Sequence, residues 1–163
     1  DALFELKHMG KSVIDFSGGE SLEQDAIIDI ECDIWIPAAR PDVINEANVD
    51  RLRTRLIVQG ANIAITEGAE KHLYEIGVTC VPDFISNAGG VICAAMEYKG
   101  STQQDAMAAI AEKVSNNTRT VLEMSATEHI QPREAAIQMA SERVKKAMSM
   151  RRWSLFSSAP HFI

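Results

Sequence analysis

Several features that would narrow a function quickly are scarce or missing from these 163 residues. There are three cysteines, Cys32, Cys80 and Cys93, an odd number with no C-x-x-C pair. That excludes a disulfide framework and argues against zinc, since both need paired, closely spaced thiols. Positive charge is in deficit: 16 Lys and Arg stand against 23 Asp and Glu, a net charge of −7. A phosphate-tracking surface, and with it a nucleic-acid partner, is not expected. No apolar run approaches the ~18 residues that a membrane span needs, so no membrane partner is expected either. No basic-plus-apolar leader opens the chain, and the expected compartment is the reducing cytoplasm. Asp1 in place of an initiator Met points to a processed chain or a piece of a longer one. His8, His72, His129 and His161 lie far apart, without metal-ligand spacing, and no metal site is assigned. There is no G-x-S-x-G, no Ser-His-Asp order and no lysine in a catalytic context, so no catalytic residue is assigned.

What is present is a chain with 46% apolar residues, enough to bury a core without staples. Its first hundred residues alternate short apolar runs with helical stretches. Lys11–Phe16 reads as a strand closed by Ser17-Gly18-Gly19. Ser21 and Gln24 make a capping box for a helix to about Ile28. Cys32–Pro37 is a second apolar run, followed by a polar helix over Asn45–Leu52. Arg55–Gln59 is a third strand, ended by Gly60. Thr66 caps a helix through Ala69, Leu73 and Ile76 that stops at Gly77, and Thr79-Cys80-Val81 is a short fourth strand. Short apolar strands joined through helices predict an α/β fold with a parallel sheet covered on both faces.

From Ser101 onward the pattern is helical. Ser101 and Gln104 offer another capping box, and Met107, Ile110, Val114, Val121 and Met124 recur at helical spacing. Pro132 suits the first turn of a second long helix, with Ala136, Ala140, Val144 and Ala147 on one face. The expected organisation is one domain over 1–163: a sheet-bearing part over 1–100, two long helices over 101–150 packing on it, and an apolar tail over 151–163. The tail, with Trp153–Phe156 and Phe162-Ile163, folds back or meets a partner. Arg143, Lys145, Lys146, Arg151 and Arg152 read as a solvated helix end.

Parallel strands place their C-terminal ends on one edge, where open α/β sheets bind ligands. Those ends are Pro37-Ala38-Ala39, Gly60-Ala61-Asn62 and the stretch Pro82-Asp83-Phe84-Ile85-Ser86-Asn87-Ala88-Gly89-Gly90-Val91. Asn87 supplies a donor and an acceptor together, as a planar carboxamide such as nicotinamide requires. Gly89-Gly90 lets a flat ligand approach the backbone, and the helix beyond offers free N–H groups. Small residues at Ala38 leave room for a ribose. Each loop alone is met as well by backbone requirements of a strand-to-helix turn. Together on one edge they are harder to explain that way. Cys93, near the double glycine, reads as a buried, inert thiol rather than a reactive one. No G-x-G-x-x-G occurs, so a complete dinucleotide site is not expected within this chain.

The motifs Cys32–Ala39, Leu56–Asn62 and Pro82–Val91, in series, resemble the glutamate/leucine/phenylalanine/valine dehydrogenase family, and the match runs from about Lys11 to about Met148. The resemblance implies a partial Rossmann-like doubly wound parallel sheet followed by two long C-terminal helices. It implies an oligomeric NAD- or NADP-dependent enzyme that interconverts an L-amino acid with a 2-oxo acid and ammonia. It places Ala38 and Asn62 on the nicotinamide-ribose side of the cofactor, Asn87 on the carboxamide, and Val91 and Ala94 in the wall of the substrate side-chain pocket. In glutamate-specific members the place of Ala94 is usually a serine that bonds the distal carboxylate. Glutamate is the first expectation for the substrate, with leucine, valine or phenylalanine as the alternative. Ile63-Ala64-Ile65-Thr66 departs from the family's Gly-Pro-Thr-Thr-like stretch. The family's catalytic lysine and aspartate, and its glycine loop, lie in segments that these residues do not include. A malic-type dehydrogenase half-domain, or a non-catalytic Rossmann-like assembly module, is a reading from outside the family. As a fragment the chain is expected neither to bind NAD tightly nor to turn over substrate. Isothermal titration of these 163 residues with NAD should therefore show no micromolar affinity, and a micromolar isotherm would refute the fragment reading.

Overall fold

The computed structural model describes residues 2–149. Three short parallel strands form its centre: β1 (Ile34–Trp35), β2 (Leu56–Val58) and β3 (Thr79–Val81), in the order β1-β2-β3. Ile57 pairs with Trp35 on one side and Cys80 on the other, so β2 is the inner strand. Six helices accompany them among the described residues: α1 (Ala2–His8), α2 (Glu67–Glu75), α3 (Asp83–Ser86), α4 (Gly89–Tyr98), α5 (Gln103–Glu128) and α6 (Pro132–Ser149).

Strand side chains alternate between faces, and each face has its own core. Ile57 and Cys80 face α2 and pack with Ile44, Val49, Ala64, Ile65, Ala69 and Leu73. Leu56, Val58 and Val81 face the other way, toward Ile85, Val121, Ala135, Ala136 and Met139 from the helices that follow. The sheet is thus covered on both faces, as the near-continuous apolar runs of its strands require. Burial pushes the Cys80 thiol up to about 12, which makes it an inert core residue.

Local chemistry explains the helix boundaries. The Thr66 hydroxyl accepts from the Ala69 N–H and caps α2. α5 begins one residue later than its expected box: the Thr102 hydroxyl accepts from the Asp105 N–H, and the Asp105 carboxylate accepts from the Thr102 N–H. His129, at φ 56°, ends α5 in the left-handed conformation. Pro132 then opens α6, where its missing N–H costs nothing.

Four expectations are corrected. Lys11–Phe16 is no strand; Val13–Asp15 forms a 3₁₀ turn, because the Ser12 N–H donates to the Asp15 carboxylate at 2.9 Å and curls the chain. The helix expected from Ser21 is a 3₁₀ run over Gln24–Asp29, held by Arg51 through the Asp29 carboxylate and the Asp25 carbonyl. The polar helix over Asn45–Leu52 shrinks to a 3₁₀ turn over Val49–Arg51. Asn45 and Asn48 side chains accept from backbone N–H groups there, and Asn48 also donates to the Val43 carbonyl, which competes with an α-helix. On α6 the buried residues are Pro132, Ala135, Ala136 and Met139, whereas Ala140, Val144 and Ala147 are exposed. Only the first two turns of that helix meet the sheet. The expected tail contacts of Trp153–Phe156 and Phe162-Ile163 lie outside the described residues.

Leu73 is fully buried on α2 at the centre of the first core. Leu73→Ala should cost about 2–5 kcal/mol of unfolding free energy, read as a lower urea midpoint at unchanged slope.

Candidate functional site

The C-terminal edge of the sheet is built from three loops that hold one another. After β1, Pro37 is buried and its carbonyl accepts from the Gly60 N–H at 3.0 Å and the Ala61 N–H at 2.8 Å. This joins the first loop to the second. The approach is close: a Cβ placed on Gly60 would lie 3.0 Å from the Ala38 Cβ. A side chain at Gly60 would therefore press on Ala38, so the glycine serves the close approach of the two loops as well as the end of a strand. Ala38 itself remains exposed beside it.

The second loop carries Asn62, exposed, followed by Ile63 at φ 52°. A β-branched residue in the left-handed region is strained and persists only where its surroundings over-determine it. Here they do. The Ile63 carbonyl accepts from the Asp42 N–H at 2.8 Å, and the Ile63 N–H donates to the Asp83 carboxylate at 2.9 Å.

The third loop is the short helix α3 and its cap. The Asn87 N–H donates to the Asp83 carbonyl at 2.8 Å and so fixes the start of its side chain. That side chain reaches the second loop: Asn87 Nδ2 donates to Asn62 Oδ1 at 2.6 Å. The contact leaves one amide oxygen and three amide N–H groups of the pair uncommitted among the described residues. The Ser86 hydroxyl ties the same helix to the end of β2, donating to the Gln59 carbonyl at 2.6 Å.

Beneath this ledge lies a buried polar cluster that sequence reasoning missed. Arg133, in the first turn of α6, donates from Nε to Glu70 at 2.6 Å and from Nη2 to Asp83 at 3.0 Å. Its guanidinium also stands 5.5 Å from the centre of the Phe84 ring. Burial alone would raise the Asp83 carboxyl; the Ile63 N–H and the Arg133 guanidinium outweigh it and hold the group below the usual aspartate range. Burial pushes Glu70 above its ordinary value, with Arg133 offsetting only part of the effect. The fully buried Gln59 side chain lies beside Glu70 without a well-formed hydrogen bond. No spacing links residues 59, 70, 83 and 133 in the sequence. The one local signal is Asp83 itself, an acid directly after a strand-ending proline.

Val91 and Ala94 are placed three residues apart on the exposed face of α4, beyond Gly89-Gly90. They share no contact with the Asn62–Asn87 pair in the hydrogen-bond network. A Cβ at Gly90 would meet open space, whereas one at Gly89 would touch Ile110 at 3.5 Å. Cys93 on the same helix is half-buried. Of the basic group, Arg143 bonds Asn117 at 2.9 Å on the surface; Arg151 and Arg152 lie outside the described residues. A wider groove, of about 780 Å³, opens at the opposite edge of the sheet between Glu31–Asp33 and Leu52–Arg55. Its charged residues are exposed, Arg55 is paired with Asp33, and it lacks the amide pair of the loop ledge.

A parallel sheet wound with helices on both faces defines a Rossmann-like α/β protein, and the paired amides make the C-terminal edge of its sheet, where such folds bind ligands, the candidate site. Comparison with known proteins gives the family. Residues 1–152 match the sequence model of Glutamate/Leucine/Phenylalanine/Valine dehydrogenase, and the chain belongs to that family. It is 33% identical over 160 residues to the glutamate dehydrogenase of Aeropyrum pernix, covering 91% of this chain and 38% of that protein. It is 36% identical over 149 residues to the NADP(+)-dependent glutamate dehydrogenase of Pyrobaculum calidifontis, covering 87% of this chain and 35% of that one. The crystal structure of L-tryptophan dehydrogenase from Nostoc punctiforme shares the fold, with a TM-score of 0.74 at 22% identity over 90% of this chain and 43% of that one. The chain spans little more than a third of the length of these curated relatives. Among the described residues no helix is long and apolar enough to cross a membrane.

The opposed shifts of Asp83 and Glu70 have opposite consequences with pH. The depressed Asp83 carboxyl contributes stability above the ordinary aspartate value of about 3.9 and loses it as pH falls through its folded value. The raised Glu70 carboxyl costs stability as pH climbs from about 4.3 through its folded value. Urea midpoints over a pH series should show Asp83→Asn flattening part of the acid-side loss. Asp29, bonded to Arg51, and Asp105, bonded to Thr102, are also held low and keep the remainder. Ile63→Gly should raise stability by about 1 kcal/mol by relieving the left-handed turn.

Proposed function

We propose that these residues form the second half of the NAD(P)-binding domain of an amino-acid dehydrogenase, with residues 101–150 packing on it as C-terminal helices. The enzyme would convert an L-amino acid to a 2-oxo acid and ammonia. The observation that carries the reading is the Asn62–Asn87 hydrogen bond at the sheet edge, which leaves an amide oxygen and amide N–H groups of the pair without a partner among the described residues. A nicotinamide carboxamide needs that pair: an acceptor for its NH₂ and a donor for its carbonyl. Ala38 and Gly60 beside it present no side chain beyond a methyl group, which leaves room for the adjoining ribose.

NAD or NADP supplies the hydride acceptor when bound. In this reading the present residues orient and do not transfer. Asn87 fixes the carboxamide, Asn62 fixes Asn87, and Ala38 admits the ribose. Val91 and Ala94 form part of the wall against the substrate side chain. Positioning of this kind supports the rate by holding the reacting carbon in line. The residues that move protons belong to the other part of the enzyme.

Glutamate is the first substrate of this reading, supported by the relatives named above. Ala94 favours an apolar amino acid as the second, because it has no hydroxyl to bond a distal carboxylate and sits on an apolar helix face with Val91. A cytoplasmic homo-oligomer completes the proposal. Ile34 on the edge strand β1 and Ile36 just beyond it are exposed, which supports a further contact there.

The test is a panel of glutamate, leucine, valine and phenylalanine with NAD and NADP on the complete enzyme. Amino-acid-dependent reduction of one cofactor is expected, and Asn87→Ala should raise the cofactor KM about tenfold or more. An enzyme that reduces neither cofactor with any amino acid would end this reading.

A further inference from the structure

Both asparagines hang from one residue. The Asp83 main-chain carbonyl accepts from the Asn87 N–H at 2.8 Å, and its carboxylate accepts from the N–H of Ile63, the neighbour of Asn62, at 2.9 Å. The carboxylate spends one oxygen on each of two partners: Oδ2 on Ile63 and Oδ1 on Arg133. Arg133 is in turn held by Glu70, which is 3% exposed, and by the Phe84 ring. A helix that packs behind the sheet therefore sets the aim of a carboxylate in front of it.

The turn that this carboxylate pins would not hold its shape unaided. Ile63 sits at φ 52°, a left-handed conformation that a β-branched side chain adopts only under strain. If Asp83 swung away, the Ile63 N–H would lose its acceptor and the turn would be free to relax. Asn62 would then lose its register against Asn87. The Ile63 N–H, with help from the Phe84 N–H, meets the carboxylate on the loop side, and the Arg133 guanidinium takes the other oxygen and so fixes its plane.

We infer that Arg133 is a positioning residue of the candidate site: acting through Asp83, it holds the Ile63 turn and so keeps the Asn62 and Asn87 amides paired. The inference rests on the proposed cofactor role for its effect on turnover, but the coupling itself is a property of the fold. Arg133 touches neither asparagine. Its effect is transmitted over one ion pair and one hydrogen bond.

The test uses the complete enzyme with Arg133→Lys, which keeps the charge but cannot fork to two carboxylates. A second variant, Arg133→Met with Glu70→Gln, removes the guanidinium without leaving Glu70 charged and unpaired. Amide hydrogen exchange is followed at Ile63 and, as a core reference, at Leu73. Steady-state kinetics give the KM for cofactor and for amino acid. Exchange at Ile63 is expected to quicken about tenfold or more while Leu73 is unchanged, and the cofactor KM to rise with little change in the amino-acid KM. Equal acceleration at both amides, or no acceleration at Ile63 in either variant, would overturn the inference, because Arg133 would then be only a fastener of α6. If the unsubstituted enzyme reduces no cofactor, the functional reading fails while the exchange data still judge the coupling.

Discussion

The carboxylate of Asp83 is where separate parts of the molecule are tied together. It sits at the end of β3, accepts from the turn after β2, and faces a guanidinium from α6. A buried carboxylate without such partners would cost several kcal/mol, so its surroundings are obligatory rather than decorative. The same demand extends outward. Arg133 needs Glu70, and Glu70 fixes how α2 lies on the opposite flank. Helices from both sides of the sheet thus meet in one polar knot beneath the loops. The apolar cores hold the layers together, but they are not directional. The knot decides how the loops at the edge are set.

Much of this architecture was legible in the chain. The strands around Ile34, Ile57 and Val81 announced themselves as short apolar runs between breakers, and Thr66 and Gly77 bracket α2 as capping chemistry demands. The three site loops were readable because each follows a strand end. The early segments were not, for a physical reason. Ser12, Asp15, Asn45 and Asn48 bond the nearby backbone, and that local competition outweighs weak apolar patterns. The face of α6 was also misplaced. An alanine row at i, i+4 looks like a core stripe, yet the helix leaves the sheet after Met139, and nothing local encodes where it leaves. The polar knot was hidden most deeply, since Arg133 and Asp83 are separated by 50 residues and meet only in the folded state.

The likeness to solved dehydrogenases lies in the fold, whereas the proposed chemistry rests on the loops. A sheet of this kind serves many reactions. What narrows the choice is the pairing of two amides with a small-residue strip beside them, a surface suited to one flat polar group rather than to a phosphate or a metal. The family match gives the class of protein, and the choice of this edge of the sheet rests on the proposed function.

The division of labour along residues 83–94 has a further consequence. The Asn87 main chain is bound to Asp83 and its side chain to Asn62, so replacing that side chain breaks the link between two site loops. Val91 and Ala94 face outward from α4, and Val91 is 77% exposed. Substitution there removes little packing. Under the proposed function, the wall that meets the amino acid can therefore drift through neutral change while the amides stay under purifying selection. One scaffold could diversify its preferred amino acid without renegotiating its grip on the nucleotide.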